Sequence, residues 1–215
     1  MEIEKFLDDQ TSEIIEKFKG HPLNFLVAAS SFKEMEKYAN RTGGKIEKFG
    51  RVSYIVTTES GNYELFTKAK SPSYRKIFKR FIECKYSKPF KIPKEIEVDH
   101  LYNKKRFPDH YVRLLLLPRN INGDWGRFTE RQLTFMEKVN GGKSEYYLDY
   151  LIFLKAVQYE PYMQNIEINT YVSKAINYMQ EKELLGNETT QVKYYLNSEL
   201  TYIVTGEFNY PTLRG

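Results

Sequence analysis

Apolar residues recur along the chain with two different periods. Ile3, Phe6, Leu7, Ile14, Ile15 and Phe18 fall on one side of a 3.6-residue repeat, so residues 3–19 read as an amphipathic helix ended by Gly20, His21 and Pro22. Leu23–Ala29 reads as a short apolar strand, and Ser31–Asn40 as a helix capped by Ser30 or Ser31 and closed by Gly43 and Gly44. Residues 45–49, 53–58 and 63–67 form the pattern of a meander turning at Gly50 and at Ser60, Gly61 and Asn62. Ser73–Cys84 predicts a basic helix with Tyr74, Ile77, Phe78 and Phe81 on one side, and Pro89 and Pro93 make the next stretch extended. Ile96 and Val98 alternate into Asp99 and His100, and a polar run follows. Val112–Leu117 supplies another strand, and Phe128–Val139 a helix stopped by Asn140, Gly141 and Gly142. Helical patterns over 145–158 and 168–185 and a closing strand over 194–203 complete the chain.

These elements predict an α+β fold in three segments: an N-terminal α+β module with a basic helix over 1–90, a central strand–strand–helix finger over 91–140, and a C-terminal helical region with a closing strand over 141–215. Residues near 89–93 are the expected linker. With 41% hydrophobic and 28% charged residues, the composition is that of a folded chain and excludes a disordered one. No apolar run approaches the roughly 20 residues of a spanning helix, so the expectation is no membrane partner, and the acidic amphipathic start, unlike a secretory leader, points to the cytoplasm. Cys84 is the single cysteine, which excludes an internal disulfide and a multi-thiolate zinc site.

Charge adds a partner. The net charge of +5 is concentrated between Lys68 and Lys94, where Lys68, Lys70, Arg75, Lys76, Lys79, Arg80, Lys85, Lys88, Lys91 and Lys94 face Glu83 as the only acid. Such a stretch could neutralise several phosphates, so nucleic acid is the expected partner, with Lys76, Lys79 and Arg80 as leading contacts.

The chemistry-bearing segment contains Val98-Asp99-His100, a polar loop, the Leu-rich strand, and then Asn120 and Asn122 before the helix. These residues resemble the Asp-His variant of the HNH, or His-Me finger, nuclease family, over residues 96–138 only. The resemblance implies a divalent-metal-dependent endonuclease, with DNA favoured over RNA. In that reading His100 is the general base, Asp99 a ligand of Mg²⁺ or Mn²⁺, and Asn122, with Asn120 as its competitor, a further oxygen ligand or a brace for the finger. Glu130, with Asp124 as alternative, would be the third ligand, and His110 competes with His100. Lys104, Lys105, Arg106, Arg113, Arg119 and Arg127 would contact phosphates. The role stays open between a restriction or mobile-element nuclease and a toxin, the last implying a cognate inhibitor protein. Oxygen donors suit such a hard ion, and an imidazole titrates near working pH. Neighbouring residues of a regular strand point to opposite faces, so Asp99 and His100 can share one site only if the strand ends or bends at His100. The rival reading is a binding module in which Asp99 and His100 stabilise a loop.

Overall fold

A computed structural model describes residues 3–20, 24–87, 89–102, 108–130 and 144–206. It is an α+β fold built on an antiparallel sheet. Helix α1, Ile3–Gly20, precedes strand β1, Leu26–Ala29, and helix α2, Phe32–Arg41, follows. The Ser31 side chain accepts the Glu34 amide, the N-cap bond expected of that residue. The meander is β2 (Lys45–Lys48), β3 (Ser53–Thr57) and β4 (Tyr63–Lys68), and the basic helix is α3 (Tyr74–Tyr86). Strands β5 (Ile96–His100) and β6 (Tyr111–Pro118) lead into helix α4 (Arg119–Trp125), which continues as a π-helical turn over Gly126–Glu130. Strand β7 (Glu145–Tyr147) and helices α5 (Tyr150–Ala156), α6 (Ile168–Glu181) and α7 (Thr189–Thr205) complete the described chain.

The strands lie in the order β2-β3-β4-β6-β1-β7, and among the described residues β5 pairs only with β6. Strand β6 is the hub. Its start pairs β4 through Phe66↔Arg113 and β1 through Ala28↔Val112, while its remainder pairs β5 from His100↔Leu114 to Ile96↔Pro118. The three expected segments therefore interleave in one sheet, and the expected linker is part of the core, since Phe90 is buried among Phe78, Phe81 and Leu116. Where β6 runs on beyond β4, a side chain takes the place of a strand. Gln10 on α1 donates from Nε2 to the Leu116 carbonyl at 2.9 Å and accepts the Leu116 amide at 3.0 Å, satisfying backbone groups that burial would otherwise leave unpaired.

Three apolar clusters fill the layers. α1 and the C-terminal helices pack with β1, the Val112 and Leu115 positions of β6, and Trp125. α3 packs with β5, Leu114 and Leu116, and α2 covers β1, β3 and β4. Two expectations change at the C-terminus. Residues 145–147 form a strand rather than the start of a helix, and 194–203, read as a closing strand, lie within α7. The face Val192, Leu196, Leu200 and Ile203, spaced for a helix, buries against the C-terminal core, and this outweighs the strand preference of Tyr194, Tyr195, Tyr202 and Ile203. Most of the expected helix over 128–139 lies outside the described residues.

Candidate nucleic-acid interface and the Asp99–His100 region

The two strands expected for the central finger are present as β5 and β6, while α4 stands where a polar turn was expected, and the expected finger helix over 128–139 lies mostly outside the described residues. Alternation along β5 decides what each side chain meets. Ile96, Val98 and His100 are buried on one face, and Glu97 and Asp99 are half-buried on the other. His100 is 4% exposed, and its ring lies 4.5 Å from that of Tyr74 at the start of α3. Asp99 faces the opposite way, where its Oδ2 lies 2.6 Å from the ammonium of Lys155 on α5. Lys155 is wholly buried, on a helix whose start is fixed by Asp149 accepting the Ile152 amide at 2.8 Å and a hydrogen bond from the Tyr102 hydroxyl. The strand reaches His100 without a bend, and the Leu101 amide continues the pairing by donating to the Arg113 carbonyl at 2.9 Å. Asp99 and His100 are therefore not brought together.

Asn122 sits within α4 rather than in a polar turn, and its Nδ2 donates to Glu97 Oε2 at 3.0 Å. Glu97 also receives Arg119 Nε at 3.2 Å and Arg75 Nη2 at 3.5 Å. Asn120 is exposed on the same helix, and Asp124 pairs with Arg127. The His110 ring lies 5.7 Å from that of Tyr146, away from the His100 contacts with Tyr74. The Glu130 side chain and residues Lys104, Lys105 and Arg106 lie outside the described residues.

This arrangement does not fit Mg²⁺ or Mn²⁺ at Asp99. A divalent cation there would have to displace an ammonium at 2.6 Å, and among the described residues no group of three or more His, Cys, Asp or Glu side chains converges on one point. Glu97, a residue that sequence reading passed over, is the anion that gathers Asn122, Arg119 and Arg75. Its signal was the two-residue repeat, which places it on the face of Asp99. Lys155 carried no such signal, because a lysine in a helical pattern ordinarily belongs to a solvated face.

The expected phosphate contacts divide by burial. Arg113 is corrected to a structural role: it is 3% exposed, with Nη1 3.1 Å from Glu64, Nη2 3.4 Å from Glu13, and its guanidinium 3.8 Å from the centre of the Phe25 ring. Lys17 also pairs with Glu64, and Glu64 accepts the Tyr38 hydroxyl at 3.0 Å. Burial alone would raise the Glu64 carboxyl, but Arg113 and Lys17 outweigh it and hold the group below its ordinary value. On Arg113, likewise, the Glu64 and Glu13 charges outweigh burial and hold the guanidinium above its ordinary value.

Arg75, Lys76, Lys79 and Arg80 are all exposed. Their spacing puts them on one face of α3, opposite the buried Phe78, Phe81 and Ile82. Arg75 belongs also to a shallow cavity of about 230 Å³ lined by Lys94, Glu97, Arg119 and the apolar Ile92, Pro93 and Ile96. The helix stripe and the cavity therefore form one band carrying six cations: Arg75, Lys76, Lys79, Arg80, Lys94 and Arg119. Its anions are Glu83, 3.6 Å from Lys79, and Glu97. Arg127 is exposed beyond the end of α4, beside Asp124. Among the described residues no helix is long and apolar enough to cross a membrane. No family model matches this chain, and no curated protein or solved structure is significantly similar to it.

Proposed function

We propose that the protein binds nucleic acid through the basic band of α3 and the β5 edge, gripping the phosphate backbone rather than reading bases. The observation that carries this is the contiguity of six exposed cations, with Arg75 shared between the helix face and the cavity. Setting the two carboxylates against the six cations leaves about four charges to neutralise phosphates, and the slope of log affinity against log salt on duplex DNA should then be about −3.6. The test is that slope, measured for the native chain and for the triple change Lys76→Ser, Lys79→Ser, Arg80→Ser. The triple variant should bind more weakly with a slope shallower by about 2 to 3, and an unchanged slope refutes the reading. The resemblance of residues 96–138 puts DNA before RNA, and the same titration on duplex RNA decides between them.

A second reading, a divalent-metal-dependent endonuclease, is favoured by the β5–β6 strand pair and by Glu97 and Asp99 sharing the face of β5 that Asn122 of α4 reaches. It requires a rearrangement in which Asp99 leaves Lys155. Plasmid nicking in Mg²⁺ or Mn²⁺ that disappears in both Asp99→Ala and His100→Ala would support it. Binding without nicking across both ions leaves the first reading alone.

A further inference from the structure

α1, β4, α3 and β6 line a cavity of about 270 Å³, whose β6 wall includes Leu114 and Leu115, the cross-strand partners of His100 and Asp99. At roughly 30 Å³ per water, it has room for on the order of nine waters, or for an organic molecule of about that many heavy atoms. Phe6, Tyr63 and Tyr86 form an aromatic wall in which the Tyr86 ring meets Phe6 at 6.0 Å and Tyr63 at 6.2 Å, both edge to face. Phe78, Phe81, Leu65 and Leu114 close the apolar side.

The charges lining this cavity are Asp9, Glu13 and Arg113. The Arg113 charge is already countered by Glu64 and Glu13, and the Glu13 carboxylate is engaged by Lys17 and Arg113. Asp9 is exposed and has no ion-pair partner among the described residues, so the uncompensated charge at the cavity is negative. The Tyr86 hydroxyl feels that field: burial first, and then the carboxylates of Glu13 and Asp9, hold it above its ordinary value. Lys85, whose ammonium lies 4.8 Å from the Tyr63 ring centre, is paired with Glu47 outside the cavity.

We propose that this cavity is a binding site for a small organic ammonium, held by the aromatic rings and by Asp9. Rings attract a cation through their quadrupole, and a quaternary or alkylated ammonium suits them because it gives up little hydration on entering an apolar wall. A neutral molecule of the same shape would gain the apolar contacts and lose both electrostatic attractions.

The test is isothermal titration of the full chain with choline and with 3,3-dimethyl-1-butanol, its uncharged counterpart. Choline should bind saturably, and the alcohol at least tenfold more weakly. Asp9→Asn replaces an exposed, unpaired side chain and leaves the fold intact; it should weaken choline at least tenfold without changing the alcohol. Tyr63→Leu should weaken choline more than the alcohol, and circular dichroism of both variants checks that they are folded. Equal binding of choline and the alcohol, no saturable choline binding, or an unchanged affinity in Asp9→Asn would each overturn the proposal.

Discussion

Replacing Arg113 by Met keeps the stem's bulk against Phe25 and removes only the guanidinium, leaving the fully buried Glu64 with Lys17 as its single cationic neighbour. At 3.1 Å the Arg113–Glu64 attraction is about 5 kcal/mol for an effective dielectric constant near 20. Breaking a buried pair from one side typically costs about 3–5 kcal/mol, because the remaining charge stays desolvated. The variant should therefore be less stable by about 3–5 kcal/mol at pH 7, a fall in Tm of roughly 6–20 °C for a domain of this size. In the native chain the folded Glu64 carboxyl titrates below its unfolded value. Its contribution is thus complete above the ordinary carboxylate range and is lost as pH falls through the lowered folded value. Without Arg113, burial dominates and the folded value rises, so protonation relieves the variant as pH is lowered. Guanidinium unfolding at pH 7 and near pH 4.5 should show the gap between native and variant narrowing at the lower pH. A gap below about 1 kcal/mol that does not change with pH would refute the view that Arg113 holds Glu64 ionised. The salt slope of nucleic-acid binding should be the same in both proteins, because the Arg113 side chain does not reach the basic band.

Gln10→Ala removes both hydrogen bonds to the Leu116 backbone and should cost about 2–4 kcal/mol, with faster hydrogen exchange at the Leu116 amide. An unaltered exchange rate there would mean that Gln10 does not complete the sheet. Asp99→Asn takes away the carboxylate facing a wholly buried ammonium and should cost about 3 kcal/mol, whereas Lys155→Met should cost less, since the Asp99 side chain is 21% exposed and water can hydrate it. Chemical denaturation of the two variants checks the order, and the reverse order would contradict the geometry.

Local pattern carried much of the fold and little of the site. The apolar stripe of α1, the cap at Ser31, the turns of the meander and the alternation of β5 are each determined by neighbours a few residues away, so they could be read from sequence. The interleaving of β1, β6 and β7 depends on contacts distant in sequence and left no local trace. The Asp99–His100 pair invited a single-site reading, and the two-residue period of the strand separates the two side chains onto opposite faces. Glu64 and Arg113 stood within apolar runs as breaks in the pattern; that each answers the other's charge became visible only in the pairing of β4 with β6. The basic stripe of α3 was legible, because helical spacing alone puts Arg75, Lys76, Lys79 and Arg80 on the solvent side.

The place of β1 in the sheet also bears on how the protein is made. Among the described residues, Leu26–Ala29 pairs only with strands at 111–118 and 145–147. At about 5–20 residues per second, a ribosome exposes this apolar tetrapeptide for roughly ten seconds before either neighbour has been synthesised. Throughout that interval its backbone donors and acceptors are open to any other extended segment, including the same strand on an adjacent nascent chain. The sheet then closes late and around its centre, and a truncation before residue 145 removes β7 and leaves one side of β1 as an open edge.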